Sequence, residues 1–135
     1  MIRYLLDTNI VSDLLKDPSG MATQRMALIE PSAICISLVV LAELRFGFAK
    51  KKALRLAKRL EDLLDEFSVQ PWSAPADRHY ANIRADLERS GQPIGANDLL
   101  IAAHALALDC ILVTDNEREF SRVPGLRVEN WLRDE

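Results

Sequence analysis

Short apolar runs alternate with longer segments of helical spacing along the whole chain. Ile2–Leu6, Ile34-Cys35-Ile36, Ile111-Leu112-Val113 and Arg127-Val128-Glu129 have the length of strands, and Val69-Gln70-Pro71 is a brief strand at most. Between them the apolar spacing predicts helices from Thr8 or Asn9 to about Lys16, from a Ser19 cap to Ile29, and from a Ser37 cap to Phe48. A strongly charged helix is expected over Lys51–Phe67, an amphipathic one over Pro75–Ser90, and a short turn of helix over Asn116–Phe120. Glu30-Pro31 ends the second helix, because the residue before a proline avoids the helical region. Ala96–Leu108 is apolar on nearly every side, which places it in the interior. Strands alternating with helices give an α/β fold, with a mostly parallel sheet covered on both faces.

Length and composition narrow the class. The 135 residues suffice for one domain with one core, spanning 1–135, and not for two. A net charge of −3 offers no overall attraction for nucleic acid or anionic lipid, so such a partner must meet a local patch. No stretch reaches the ~20 apolar residues of a membrane span. Asp7 interrupts the first apolar run before a signal peptide forms. Cys35 and Cys110 lie inside apolar runs without Cys-x-x-Cys spacing, so they are expected in the core, and the expected compartment is the reducing cytoplasm. His79 and His104 each stand alone, without a second ligand at zinc spacing.

The candidate chemistry lies in acids that are out of keeping with their surroundings. Asp7 follows strand 1 directly, at the carboxyl edge of the sheet where ligands of open α/β folds bind, although helix capping also explains it. Val113-Thr114-Asp115-Asn116 repeats the same order of strand, hydroxyl, acid and amide, so Asp115 would face the same crevice. Glu43 has Val39, Val40, Phe46 and Gly47 as helical neighbours, while Arg45 projects the other way. Asp98 opens the buried Ala96–Leu108 helix, where an anion is also favoured by the helix dipole. Asp115 and Glu119 are both available after the last core strand. Acids brought together raise one another's pKa unless a cation lies between them. Oxygen-only ligands select hard ions, Mg²⁺ or Mn²⁺, and Mg²⁺ held by few carboxylates commonly meets a phosphate. Metal-assisted phosphodiester hydrolysis follows. Lys50, Lys51, Lys52 and Arg55 lead the charged helix and are candidates for holding the nucleic-acid backbone. Metal-activated water does not need a 2′-hydroxyl, so a DNA nuclease stays open, as does a non-catalytic binding or regulatory module whose acids are structural. Phosphoryl transfer through an aspartyl intermediate wants a second acid where this chain has Asn9.

Four segments, in order, also resemble a known pattern: Leu5-Leu6-Asp7-Thr8-Asn9; Ser37 through Ala42-Glu43-Leu44-Arg45-Phe46-Gly47; Gly91-Gln92-Pro93-Ile94-Gly95 leading to Asp98; and Leu112-Val113-Thr114 through Glu119-Phe120. With the closing Pro124–Trp131 they resemble the VapC-type PIN-domain toxins over nearly the whole chain. The resemblance implies a PIN-like three-layer α/β/α fold and a Mg²⁺- or Mn²⁺-dependent endoribonuclease. It also implies the toxin half of a type II toxin–antitoxin pair, with tRNA or ribosomal RNA as target. It assigns Asp7, Glu43 and Asp98 to the metal and the catalysis. The fourth acid departs from the pattern, since many PIN domains carry an aspartate where this chain has Asn116. Asp115 or Glu119 takes its place. The implied partners are a VapB-like antitoxin, an RNA substrate and a second copy of the chain. An acidic groove also invites a partner's Arg or Lys as a substitute cation.

Overall fold

The computed structural model describes residues 1–133. Its strands are β1 (Tyr4–Leu6), β2 (Ile34–Ser37), β3 (Ser68–Gln70), β4 (Ile111–Val113) and β5 (Val128–Glu129). Its helices are α1 (Thr8–Lys16), α2 (Met21–Ala27), α3 (Leu38–Lys51), α4 (Leu54–Leu64), α5 (Ala76–Arg89), α6 (Ala96–Ala107) and α7 (Glu117–Phe120). The sheet runs β3-β2-β1-β4-β5, and every neighbouring pair is parallel.

The all-parallel sheet explains why its strands read as continuous apolar runs. Leu5, Leu6, Ile34, Cys35, Ile36, Leu112 and Val113 are fully buried, because helices cover both faces. α1 packs on α2, α3 and α4, while α5 packs on α6. The chain moves one way from β1 to β3 and then crosses back to β4, and right-handed crossovers put these two groups of helices on opposite faces. The order reverses between β1 and β4, so the open crevice lies at their carboxyl ends.

Several boundaries differ from the sequence expectation, each for a local reason. β1 begins at Tyr4 rather than Ile2. The Asp17–Gly20 turn closes through the Gly20 N–H on the Asp17 carbonyl, at 3.1 Å. Ser19 therefore lies inside the turn, and Gly20 occupies the N-cap of α2. Ser37 does cap α3, its Oγ accepting the Val39 N–H at 3.1 Å. That helix runs three residues past Phe48, until Lys52 turns left-handed (φ 52°) and the Ala53 N–H reaches the Phe48 carbonyl at 2.9 Å. The charged helix is correspondingly shorter and begins at Leu54. α6 is interior as expected, with Leu99 and Ile101 through Ala105 all buried.

Candidate active site

The crevice is built from the first residues after each central strand. At the end of β1 the chain turns into α1, and Asp7 is the N-cap, its Oδ1 accepting the Thr8 N–H at 2.8 Å. Its Oδ2 accepts the Thr114 hydroxyl at 2.7 Å and the Asn9 amide at 3.3 Å. Only 3 % of Asp7 is exposed, so these donors are what makes its carboxylate tolerable. Burial still pushes its pKa upward against the Thr114 and Thr8 hydrogen bonds, and the charge on Glu43 adds to the rise.

Glu43 lies in the second turn of α3, half-buried. Donors from two other elements clamp it. Thr8 Oγ1 donates to Oε1 at 2.8 Å, and Asn97 Nδ2 donates to Oε2 at 3.1 Å. Asp98 follows Asn97 in the first turn of α6. Its carboxyl is pushed up to about 7, chiefly by burial, then by the Glu119 carboxylate beside it and the charge of Asp7. Glu119, on α7, is held low by its hydrogen bonds with Asp98 and the Asn116 amide, the latter at 2.9 Å. The pair is thus biased toward a protonated Asp98 and an ionised Glu119.

Asp7, Glu43 and Asp98 line a single cleft of about 420 Å³, together with Asn116. Glu119 reaches the group through Asp98. Asp115 does not. Thr114, not Asp115, faces Asp7, and the exposed Asp115 carboxylate accepts the Asn130 amide at 3.0 Å, an amide it shares with Glu117. The expectation that Asp7 and Asp115 face one crevice is corrected accordingly, because consecutive side chains leaving a strand point to opposite sides.

The basic run divides as well. Lys51 lines the cleft. Lys50 instead sits 5.9 Å over the Phe46 ring, Lys52 lines a separate apolar groove with Leu54 and Leu60, and Arg55 is exposed outside both. Lys16, at the end of α1, also lines the cleft, a place its local sequence does not mark. The clamping role of four further residues has no mark in the local sequence either. Thr8, Asn97, Thr114 and Asn116 each sit within three residues of an acid, where a hydroxyl or amide reads as an ordinary helix or turn cap.

The donor set suits a hard cation, since only carboxylate, hydroxyl and amide oxygens line the acidic end of the cleft. Among the described residues no three His, Cys, Asp or Glu side chains stand close enough to form a ready-made cage. Asp7 and Glu43 are instead each turned toward hydroxyl and amide donors, while Asp98 faces the Glu119 carboxylate. The histidines take no part. His104 is buried in α6, its Nδ1 2.8 Å from Ser37 Oγ, and burial holds its pKa down so that it is neutral. That contact ties α6, which carries Asp98, to the N-cap of α3, which carries Glu43. Cys35 and Cys110 are buried free thiols within the sheet region.

The comparisons with known proteins agree with this architecture. The PIN domain family model matches residues 4–126. The chain is 42% identical to ribonuclease VapC2 of Rickettsia felis over 130 residues, covering 95% of this chain and 97% of that protein. It is 39% identical to the tRNA(fMet)-specific endonuclease VapC of Shigella flexneri, covering 97% and 99% of the two chains. The crystal structure of VapBC2 from Rickettsia felis bound to a DNA fragment from their promoter superposes with a TM-score of 0.89, at 39% identity, over 97% of this chain and 99% of that one. Matched almost end to end in sequence and in fold, the chain belongs to the PIN domain family, among its VapC members.

Proposed function

We propose that this chain is the ribonuclease toxin of a VapBC-type pair, hydrolysing RNA phosphodiester bonds in the cleft lined by Asp7, Glu43 and Asp98 with the help of Mg²⁺ or Mn²⁺. The observation that carries the proposal is the meeting of these three acids from the N-cap of α1, from α3 and from α6 in one cleft, with Glu119 beside Asp98. The names of the relatives, a ribonuclease and a tRNA(fMet)-specific endonuclease, support RNA as the substrate and tRNA as its first class to try.

Asp7, Asp98, Glu43 and Glu119 would hold the cation. When bound, it supplies activation of the attacking water and charge neutralisation at the phosphate. The protein's own part is positional. Thr114 and the Thr8 N–H fix the Asp7 carboxylate, and Thr8 Oγ1 with Asn97 fixes both oxygens of Glu43. A cation held there would favour the ionised form of Asp98, whose carboxyl is otherwise shifted upward. A VapB-like antitoxin is the partner, and a basic side chain entering this acidic cleft would exclude cation and RNA together. A second copy of the chain is a further partner, supported by the exposed apolar side chains of Phe46 (68 %) and Leu54 (82 %); Phe48 is partly buried in the cleft wall. No helix among the described residues is long and apolar enough to cross a membrane.

Incubation of the purified chain with bulk tRNA and Mn²⁺ tests the proposal. Cleavage is expected to leave 5′-phosphate and 3′-hydroxyl ends, to stop in excess EDTA, and to be absent in Asp98→Asn. Full activity in EDTA, or 2′,3′-cyclic phosphate ends, would overturn it.

A further inference from the structure

The cleft has a second end that the acids do not explain. Glu43, Gly47 and Lys51 recur every fourth residue along α3, and Thr8, Ser12 and Lys16 do the same along α1. Residues at that spacing share one helix face, and all of these line the cleft. The two helices therefore present matching stripes, acid and hydroxyl at one end and a lysine each at the other. Eight residues of helix separate Glu43 from Lys51, a rise of about 12 Å. Among the described residues neither Lys16 nor Lys51 makes an ion pair, although seven form there between other side chains.

Between the two ends lies Gly47. Glycine inside a helix costs about 1 kcal/mol relative to alanine. Nothing in the packing requires it, because a Cβ built there meets no atom within 4 Å. What the glycine leaves is open room between Glu43 and Lys51. The wall of that room is apolar, formed by Leu44, Phe48 and Leu56.

Resting on the ribonuclease reading, we propose that this slot seats a nucleotide of single-stranded RNA adjoining the cut. Its base lies over Gly47 against Leu44, Phe48 and Leu56, and its outer phosphate is held between Lys16 and Lys51. The apolar wall suits the face of a base without selecting its identity. The lysines act as point charges on a phosphate other than the one being cleaved. Lys50 and Arg55 lie outside the slot and contribute only to the general field.

The test is fluorescence anisotropy with a short, labelled, mixed-sequence single-stranded RNA. It is run in an Asp98→Asn background with EDTA, as a function of KCl. Lys16→Ala and Lys51→Ala are each expected to weaken binding roughly threefold or more and to reduce the slope of log K against log[salt] by about 0.7. Lys50→Ala, outside the slot, should change both far less than either slot lysine does. Gly47→Leu should weaken binding about tenfold, the scale of one lost stacked base, while the melting temperature holds or rises. In the cleaving protein with Mn²⁺, the two lysine variants should raise KM with kcat preserved. If the parent protein cleaves RNA but these variants bind and cleave as it does, the slot proposal falls and the ribonuclease reading stands. If the lysine variants lose only capture of a VapB-like peptide, the slot belongs to the protein partner and the proposal falls. A parent protein that neither binds nor cuts RNA would overturn both.

Discussion

At the scale of single residues, the site is a set of carboxylates kept apart by borrowed hydrogen bonds. Asp98 is the least comfortable. Its pKa rises from the ordinary 3.8 to about 7 in the folded chain. A carboxyl raised on folding stabilises the fold below its unfolded pKa and loses that contribution as pH climbs through the folded value. Glu119 is shifted the other way, and buried His104, held below its usual pKa, opposes Asp98 over the same range, so the Asp98 part is read by comparing the parent with Asp98→Asn. Through Asp98 the metal-free protein should lose stability from pH 5 to pH 8, against the opposite trend of His104. Asp98→Asn should remove that loss and stabilise the chain at pH 8 by ~1–2 kcal/mol, after discounting for solvent screening at this half-buried position. Melting curves across that range check both. Thr114→Val should act in the opposite sense. It strips the shortest hydrogen bond from the buried Asp7 carboxylate and should cost ~1–3 kcal/mol in urea unfolding. The acids were legible in the sequence because each is foreign to its surroundings. Their donors were not, because a Thr or Asn near an acid has the same appearance whether it caps a helix or clamps a carboxylate from another element.

At the scale of elements, helix ends decide where the acids stand. Asp7 caps α1, Ser37 caps α3 six residues before Glu43, and Asp98 sits in the first turn of α6. Ser37 matters twice, accepting the Val39 N–H and contacting His104 on α6. Ser37→Ala should cost ~1–3 kcal/mol, since the cap is lost and a buried imidazole nitrogen is left without a partner. If the Ser37–His104 contact sets the distance between α3 and α6, the same substitution should weaken Mn²⁺ binding while leaving the acids in place. A titration of the folded variant measures this. Ser37 and the buried α6 could be read from apolar spacing. The end of α3 at Lys51 could not, because Lys52 adopts a left-handed conformation that its residue type does not announce. Asp115 and Glu119 were equally inseparable, since the contacts that decide between them, Asp115 with Asn130 and Glu119 with Asp98, come from distant parts of the chain.

At the scale of the whole molecule, the parallel order β3-β2-β1-β4-β5 does the assembling. Its reversal between β1 and β4 opens the crevice, and residues from β1, α3, α6 and α7, more than a hundred positions apart, close around it. Alternating strands and helices made the parallel sheet legible, whereas strand order is set by crossovers that no local pattern records. A cleft with acids at one end also explains how one partner could silence the protein. A VapB-like antitoxin presenting Arg or Lys should compete with Mn²⁺, so the apparent Mn²⁺ affinity should fall as antitoxin is added, and a variant antitoxin lacking that side chain should bind without competing. The central claim, that Asp7, Glu43, Asp98 and Glu119 together make a site for a hard cation, is tested most directly by calorimetric titration of Mn²⁺ near pH 7 in buffers of different ionisation enthalpy. The account predicts saturable binding that releases a proton and is weakened at least about tenfold in Asp98→Asn, as the proton favoured on Asp98 is displaced. Binding of equal strength in both proteins, or no saturable heat in the parent, would contradict it.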